Sequence, residues 1–176
     1  MILLRHGQSE FNVIYSVTRV DPGIPDPELT ALGREQAAAA ARALADHDLG
    51  RVVCSPYVRA IQTAEIVAEI LGLAITIEPL VRERHAFICD IGSDPAILAA
   101  RWPALDFAHL DRRWWPEDEE SQADVDRRCR LFNARATGWD DHDRVVAVSH
   151  WGFIMALTGI SAGNAEIVPH SITRAG

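Results

Sequence analysis

A chain of 176 residues, 48% of them hydrophobic, is long enough to bury one sizeable core and short for two. Seventeen Lys and Arg against twenty-five Asp and Glu leave a formal charge of −8, which excludes a broad electrostatic grip on nucleic acid or on an anionic membrane. Three cysteines (Cys54, Cys89, Cys129) match neither a paired framework nor a metal-ligand spacing, no run approaches a membrane span, and MILLRHG is too short and too soon charged for a signal peptide, so a cytoplasmic chain with reduced, buried thiols is expected.

Ile2-Leu3-Leu4 is the first strand, and it ends in Arg5-His6-Gly7. Residues 16–28 read as irregular. Thr30 is the expected N-cap of a helix running to about His47, whose Ala37 to Ala41 run suits close packing on a sheet. Arg51 to Cys54 forms the next strand. Ser55 and Pro56 then read as N-cap and N1 of a second helix, with Ala60, Ala64, Val67 and Leu71 on one face, Gly72 at its stop and Arg59 in its first turn. Residues 87–120 are the second irregular stretch, and both such stretches are long enough to suggest a binding or lid role. A third helix is expected from Ser121 to about Gly138, with Val125, Cys129, Phe132 and Ala136 on its buried stripe. Val145 to Val148 is a strand leading into Ser149-His150, and a fourth helix begins near Gly152. Of two short candidates near the end, Ile167-Val168 and Ser171-Ile172-Thr173, the second is taken as the last strand. Its free edge around Ile172 would let a second copy pair, giving a homodimer.

Continuous apolar strands alternating with helical segments imply one α/β domain over residues 1–176, a three-layer α/β/α sandwich with a mostly parallel central sheet. In such sheets ligands bind at the carboxyl ends of the strands. Arg5, His6, Arg59 and His150 all sit at such ends or just beyond, so they should meet. Two guanidiniums and two imidazoles suit a dianion, most simply a phosphoryl group, which arginine grips with paired hydrogen bonds. The first-turn N–H groups near Arg59 would add positive potential, and Gly7 would let the backbone approach a bound oxygen. An imidazole anchored through one nitrogen can attack with the other, and the leaving alkoxide then needs a proton donor.

These residues carry a resemblance. Arg5-His6-Gly7-Gln8-Ser9-Glu10-Phe11-Asn12, Asp26-Pro27-Glu28-Leu29-Thr30 with Gly33 and Gln36-Ala37, Ser55-Pro56-Tyr57-Val58-Arg59-Ala60-Ile61-Gln62-Thr63-Ala64, Leu80-Val81-Arg82-Glu83, Glu120-Ser121 and Ser149-His150-Trp151-Gly152-Phe153 stand in the order of the histidine phosphatase superfamily, the phosphoglycerate mutase-like fold. The resemblance implies that His6 becomes phosphorylated, that Arg5, Arg59 and His150 hold the phosphoryl oxygens, and that Glu83 is the proton donor and later the base for water. Asn12 falls where the family contacts the phosphoryl group, and Gln8 and Ser9 match the motif, where they either touch the ligand or shape the loop. Glu83-Arg84-His85 and Arg112-Arg113 are similar to substrate-gripping residues of the mutase branch; a solvated arginine pair beside the acidic run 117–120 is the plainer reading.

The resemblance implies hydrolysis of a small phosphomonoester with no metal or cofactor. Residues 84–120 are expected to form the substrate-selecting cap. A cofactor-type mutase and a non-catalytic phosphate-binding module are the alternatives. Trp114-Trp115 would roof a pocket, join the core or meet a second copy, and Trp151 departs from the small residue usual after the second histidine.

Overall fold

The structure is a computed structural model that describes residues 1–172. Its strands are β1 (Ile2–Arg5), β2 (Arg51–Cys54), β3 (Ala74–Ile77), β4 (Val145–Ser149) and β5 (Ile167–Pro169). Its helices are α1 (Glu10–Thr18), α2 (Ala31–Ala43), α3 (Val58–Leu71), α4 (Pro95–Arg101), α5 (Gln122–Ala136) and α6 (Trp151–Thr158). The strands form one sheet in the order β3-β2-β4-β1-β5, parallel except for the antiparallel pair β1–β5.

Period-two alternation in the apolar strands explains the layers. Leu3, Val53 and Ala147 are neighbours in register and face α5 and α6, packing with Val125, Phe132, Phe153 and Ile154. Leu4, Val52, Cys54 and Val148 point to the opposite face, under Ala40, Ala41, Leu44, Ile61 and Ala64 of α2 and α3. Each large side chain buried this way contributes about 1.5–3 kcal/mol. The result is the expected three-layer α/β architecture with a mostly parallel sheet.

The helix ends follow local chemistry. Thr30 caps α2 by accepting from Gly33 N–H, Ser121 caps α5 by accepting from Asp124 N–H, and α3 stops at Gly72 with φ 67°. Ser9 and Asn12 form a capping box on α1, which reaches Thr18 inside the stretch expected to be irregular. Helix α2 ends at Ala43, short of His47.

The start of α3 also differs from expectation. Its N-cap is Tyr57 rather than Ser55, and the free donor Val58 N–H is satisfied by the distant carboxylate of Asp26 at 2.8 Å. The Ser55 hydroxyl is used elsewhere.

Three further elements depart from the sequence reading. Strand β3 is an edge strand with Ala74 and Thr76 exposed, and so lacks a continuous apolar run. Helix α4, capped by Asp94 with Pro95 at its first position, lies within the stretch 87–120. The last strand is Ile167–Pro169, because Val168 pairs with Leu3 and is buried. Ser171 and Ile172 are not in a strand, and Thr173 lies outside the described residues. The free edge expected at Ile172 is therefore not formed there.

Gly7 is needed for packing. A Cβ on Gly7 would strike the Gly33 carbonyl, and one on Gly33 would strike the Gln8 carbonyl, so the turn after β1 and the first turn of α2 touch backbone to backbone. Gly33→Ala should destabilise by about 1–3 kcal/mol and lower Tm by roughly 2–12 °C. Thermal unfolding followed by circular dichroism checks this, and an unchanged Tm would refute the contact.

Candidate active site

The ladder hydrogen bonds continue one residue past the strands. His6 N–H donates to Ser149 O at 3.0 Å, and Ser55 N–H donates to Val148 O at 3.1 Å. His6, Ser55 and His150 therefore stand in a row at the carboxyl ends of β1, β2 and β4. The two imidazole centroids are 5.1 Å apart.

His6 is buried, and its Nδ1 lies 2.7 Å from the carbonyl of Gly7. A carbonyl only accepts, so Nδ1 carries the proton and Nε2 of the neutral ring carries a lone pair. Burial, and then the charges of Arg59 and Arg5, hold the His6 pKa well below the usual histidine value, which keeps that lone pair free at neutral pH. Thr63 steadies the turn by accepting from Gly7 N–H at 3.2 Å while donating to Arg59 O at 2.8 Å.

The cations are anchored from outside. Arg5 Nη1 donates to Ala162 O at 2.8 Å, while its Nε is buried without a partner. Arg59 donates from Nη1 to Cys89 O at 2.8 Å and from Nη2 to Asp90 Oδ1 at 3.1 Å. His150 Nε2 lies 2.7 Å from Ser55 Oγ, and its Nδ1 is also buried without a partner. Burial, followed by Arg59, His6, Arg128 and Arg5, lowers the His150 pKa well below normal. Three buried side-chain nitrogens lack partners among the described residues, and two of them belong to this cluster, as expected of a site that supplies donors to an anion.

Glu83 follows the short 3-10 turn Pro79–Val81 and accepts from Arg84 N–H at 2.8 Å. Its carboxyl lies against the first turn of α6, where a Cβ on Gly152 would come within 2.5 Å of Oε1. Burial first, then the negative charge of Asp90, raises its pKa to about 7, against the opposing Arg84 N–H, Arg59 and Arg5. The segment is held from behind by Arg128, which donates to Leu80 O, Arg82 O and Glu83 O and pairs with buried Glu120. Glu120 also accepts from Arg82 at 2.6 Å.

The structure thus gathers Arg5, His6, Arg59, Glu83 and His150. Asn12 Oδ1 accepts from Ser9 and from Asn164 of the loop before β5, the same loop that holds Arg5 through Ala162. Ser9 is spent on the α1 cap, and Gln8 is tied to Gln36 and Thr30, so these two shape the loop. Arg84 bonds Glu119 and the Glu120 carbonyl. Arg112 pairs with Asp94 with its side chain 91% exposed, and Arg113 pairs with Glu117, so neither joins the cluster.

Trp114 is buried edge-on against Tyr57, 4.6 Å between centroids, and its Nε1 donates to Ser93 O at 3.0 Å. Trp151 is exposed, with its Nε1 donating to Ser161 Oγ at 3.0 Å. Sequence reasoning missed Thr63, Ser55 as the partner of His150, and Arg128. Thr63, one turn after Arg59, was the legible one, while Arg128 looks like any charge on an amphipathic helix. No three His, Cys, Asp or Glu side chains among the described residues group as metal ligands would.

The profile described as "Histidine phosphatase superfamily (branch 1)" matches residues 1–166. The chain belongs to that superfamily. It is 36% identical over 174 residues to a glucosyl-3-phosphoglycerate phosphatase of Mycolicibacterium vanbaalenii, covering 93% of this chain and 74% of the relative. It is 30% identical over 181 residues to a 2,3-bisphosphoglycerate-dependent phosphoglycerate mutase of Methylobacterium sp., covering 96% and 84%. A solved mycobacterial glucosyl-3-phosphoglycerate phosphatase complexed with VO3 superposes with a TM-score of 0.65 at 32% identity, covering 95% of this chain and 88% of that one.

The elevated Glu83 links to stability. The folded state keeps the proton up to about pH 7 while the unfolded chain releases it near 4.5, so this group makes the fold less stable as pH rises between those values. Glu83→Gln, neutral throughout, should gain about 2–3 kcal/mol relative to the parent between pH 5 and pH 8. Urea unfolding at both pH values measures this, and an equal difference at the two would refute the shift.

Proposed function

We propose that this superfamily member is a phosphatase that hydrolyses a small phosphomonoester through a phosphohistidine on His6. The observation that carries the reading is the neutral His6, anchored through Nδ1 and set beside Arg5, Arg59 and His150 with a carboxylic acid of pKa about 7 in the same cluster. The relatives named as phosphatases support it.

In the first step the lone pair of His6 Nε2 attacks phosphorus. The phosphorus–oxygen ester bond breaks, and Glu83 gives its proton to the leaving alkoxide. Arg5, Arg59 and His150 Nδ1 stabilise the charge on the non-bridging oxygens. In the second step the Glu83 carboxylate takes a proton from water, whose oxygen attacks phosphorus. The nitrogen–phosphorus bond breaks, phosphate leaves, and both His6 and Glu83 return to their starting forms.

Arg112 and Arg113 are paired with surface acids away from the cluster, which favours a phosphatase over a mutase. Residues 84–120 act as the substrate-selecting cap of a single domain in this reading. Glucosyl-3-phosphoglycerate, the substrate in the relatives' names, heads the panel to be tested. Neither nucleic acid nor a membrane is a partner. Three free buried thiols support a cytoplasmic location, and no helix among the described residues is long and apolar enough to cross a membrane. A homodimer paired through the sheet would use an edge strand, β3 or β5.

Rapid quench during turnover, followed by intact mass, should show one added phosphoryl group that is missing in His6→Ala. No adduct in the parent would sink the covalent mechanism. Glu83→Gln should lose about 10²–10⁴-fold in kcat/KM on an alkyl phosphate and far less on p-nitrophenyl phosphate, whose leaving group needs no proton. Equal losses on both substrates would remove Glu83 from the donor role.

A further inference from the structure

One buried charge beside the cluster has no part in the two steps above. Asp90 ends the short 3-10 turn Ile88–Asp90, and 1% of its surface is exposed. Both of its carboxylate oxygens are occupied. Oδ1 accepts from Arg59 Nη2 at 3.1 Å and from Cys89 Sγ at 3.4 Å, and Oδ2 accepts from the backbone N–H groups of Ala86 and Phe87, each at 3.1 Å. Its carbonyl accepts from the buried hydroxyl of Tyr57 and lies 3.0 Å from His85 Nδ1. Arg59 and Asp90 expose 4% and 2% of their side chains. A buried ion pair of this kind is a poor way to add stability, because an apolar pair of equal volume does as well or better. Its presence next to an anion site calls for a reason in the chemistry.

We propose that Asp90 is a positioning residue for the phosphoryl site, one carboxylate that fixes the Arg59 guanidinium with one oxygen and residues 86 and 87 of the cap with the other. This rests on the roles given above to Arg59 and Glu83. An arginine on a long side chain gains from pre-orientation, since its grip on a phosphoryl group depends on the angle of the guanidinium plane. The same carboxylate joins the anion clamp to the wall of the cap, so the two cannot shift independently.

Asp90 also sets the electrostatics of the proton donor. The charged groups that bear on Glu83 are Asp90 from the 88–90 turn, Arg59 from α3, Arg5 from the end of β1 and Arg128 from α5, which bonds the Glu83 carbonyl. The Arg84 N–H bonds its carboxylate, while His6 and His150 are held neutral. Among these groups Asp90 alone is negative. Without it the arginines act unopposed, and Glu83 loses its proton at lower pH.

The test is the pH dependence of kcat/KM for phosphate release from glycerol 2-phosphate, together with competitive inhibition by inorganic phosphate. In the parent, the falling alkaline limb reports loss of the Glu83 proton. Asp90→Asn should move that limb to lower pH by half a unit or more; a loosened fold that hydrated Glu83 would shift it the same way, but would do so in Asp90→Glu as well. Asp90→Glu keeps the charge but displaces it, so the limb should stay in place while phosphate inhibition weakens about 3–10-fold as Arg59 loses its orientation. An unmoved limb with unchanged phosphate inhibition in a folded Asp90→Asn overturns the proposal. If that variant does not fold, unchanged phosphate inhibition in Asp90→Glu overturns it. In either case the phosphohistidine measurement on the parent stands apart, and its absence there would overturn the underlying reading instead.

Discussion

The register between β1 and β4 is the constraint from which the site follows. Leu4 lies opposite Val148 and Arg5 opposite Ser149, so the next residues, His6 and His150, leave the sheet side by side. A slip of one residue would turn Leu3 and Leu4 to the wrong layers and part the two imidazoles. The same apolar packing that selects one register therefore selects the spacing of the histidines. Core and site share one origin, since burial of Leu3 in the layer of Phe153 and Phe132 and of Leu4 in the layer of the α2 alanines holds the register.

Charge is the second constraint. Two guanidiniums are brought beside two imidazoles in a place with little water, and the imidazoles respond by staying neutral. The negative partners are placed behind the cluster. Glu120 pairs with Arg82 and Arg128, and Asp90 pairs with Arg59, leaving Glu83 as the carboxylic acid that keeps a proton near neutrality. Glu120 and Asp90 each have an arginine within hydrogen-bonding distance, while Glu83 receives only a backbone N–H on its carboxylate.

Much of this was legible in the sequence because it obeys local rules. Continuous apolar runs marked β1, β2 and β4, and Thr30, Ser121 and Gly72 marked helix ends by their own hydrogen-bonding chemistry. Arg5, His6, Arg59, Glu83 and His150 stood in ordered motifs, and the structure gathers them. What was not legible depends on distant partners. Ser55 is followed by proline, as an N-cap often is, yet its hydroxyl is claimed by His150, 95 positions away. Asp26 caps α3 from a loop. Asp90 sits in a stretch with no periodicity, and nothing nearby in sequence reveals that Arg59 waits for it. Strand β5 was misplaced because two short β-branched segments lie close together and only packing against Leu3 separates them.

The loop before β5 carries a consequence for how the molecule comes into being. Ala162 holds Arg5, Ala165 N–H bonds the carbonyl of His6, Glu166 O accepts from Arg5 N–H, and Asn164 reaches Asn12. The segment bearing Arg5 and His6 is thus made about 160 residues before the loop that braces it. A nascent chain that has reached residue 150 holds every side chain of the cluster but not the scaffold that aims Arg5. Contacts spanning this much sequence are slow to close. The backbone of Arg5 and His6 stays unbraced on this side until residues 162–166 have been made.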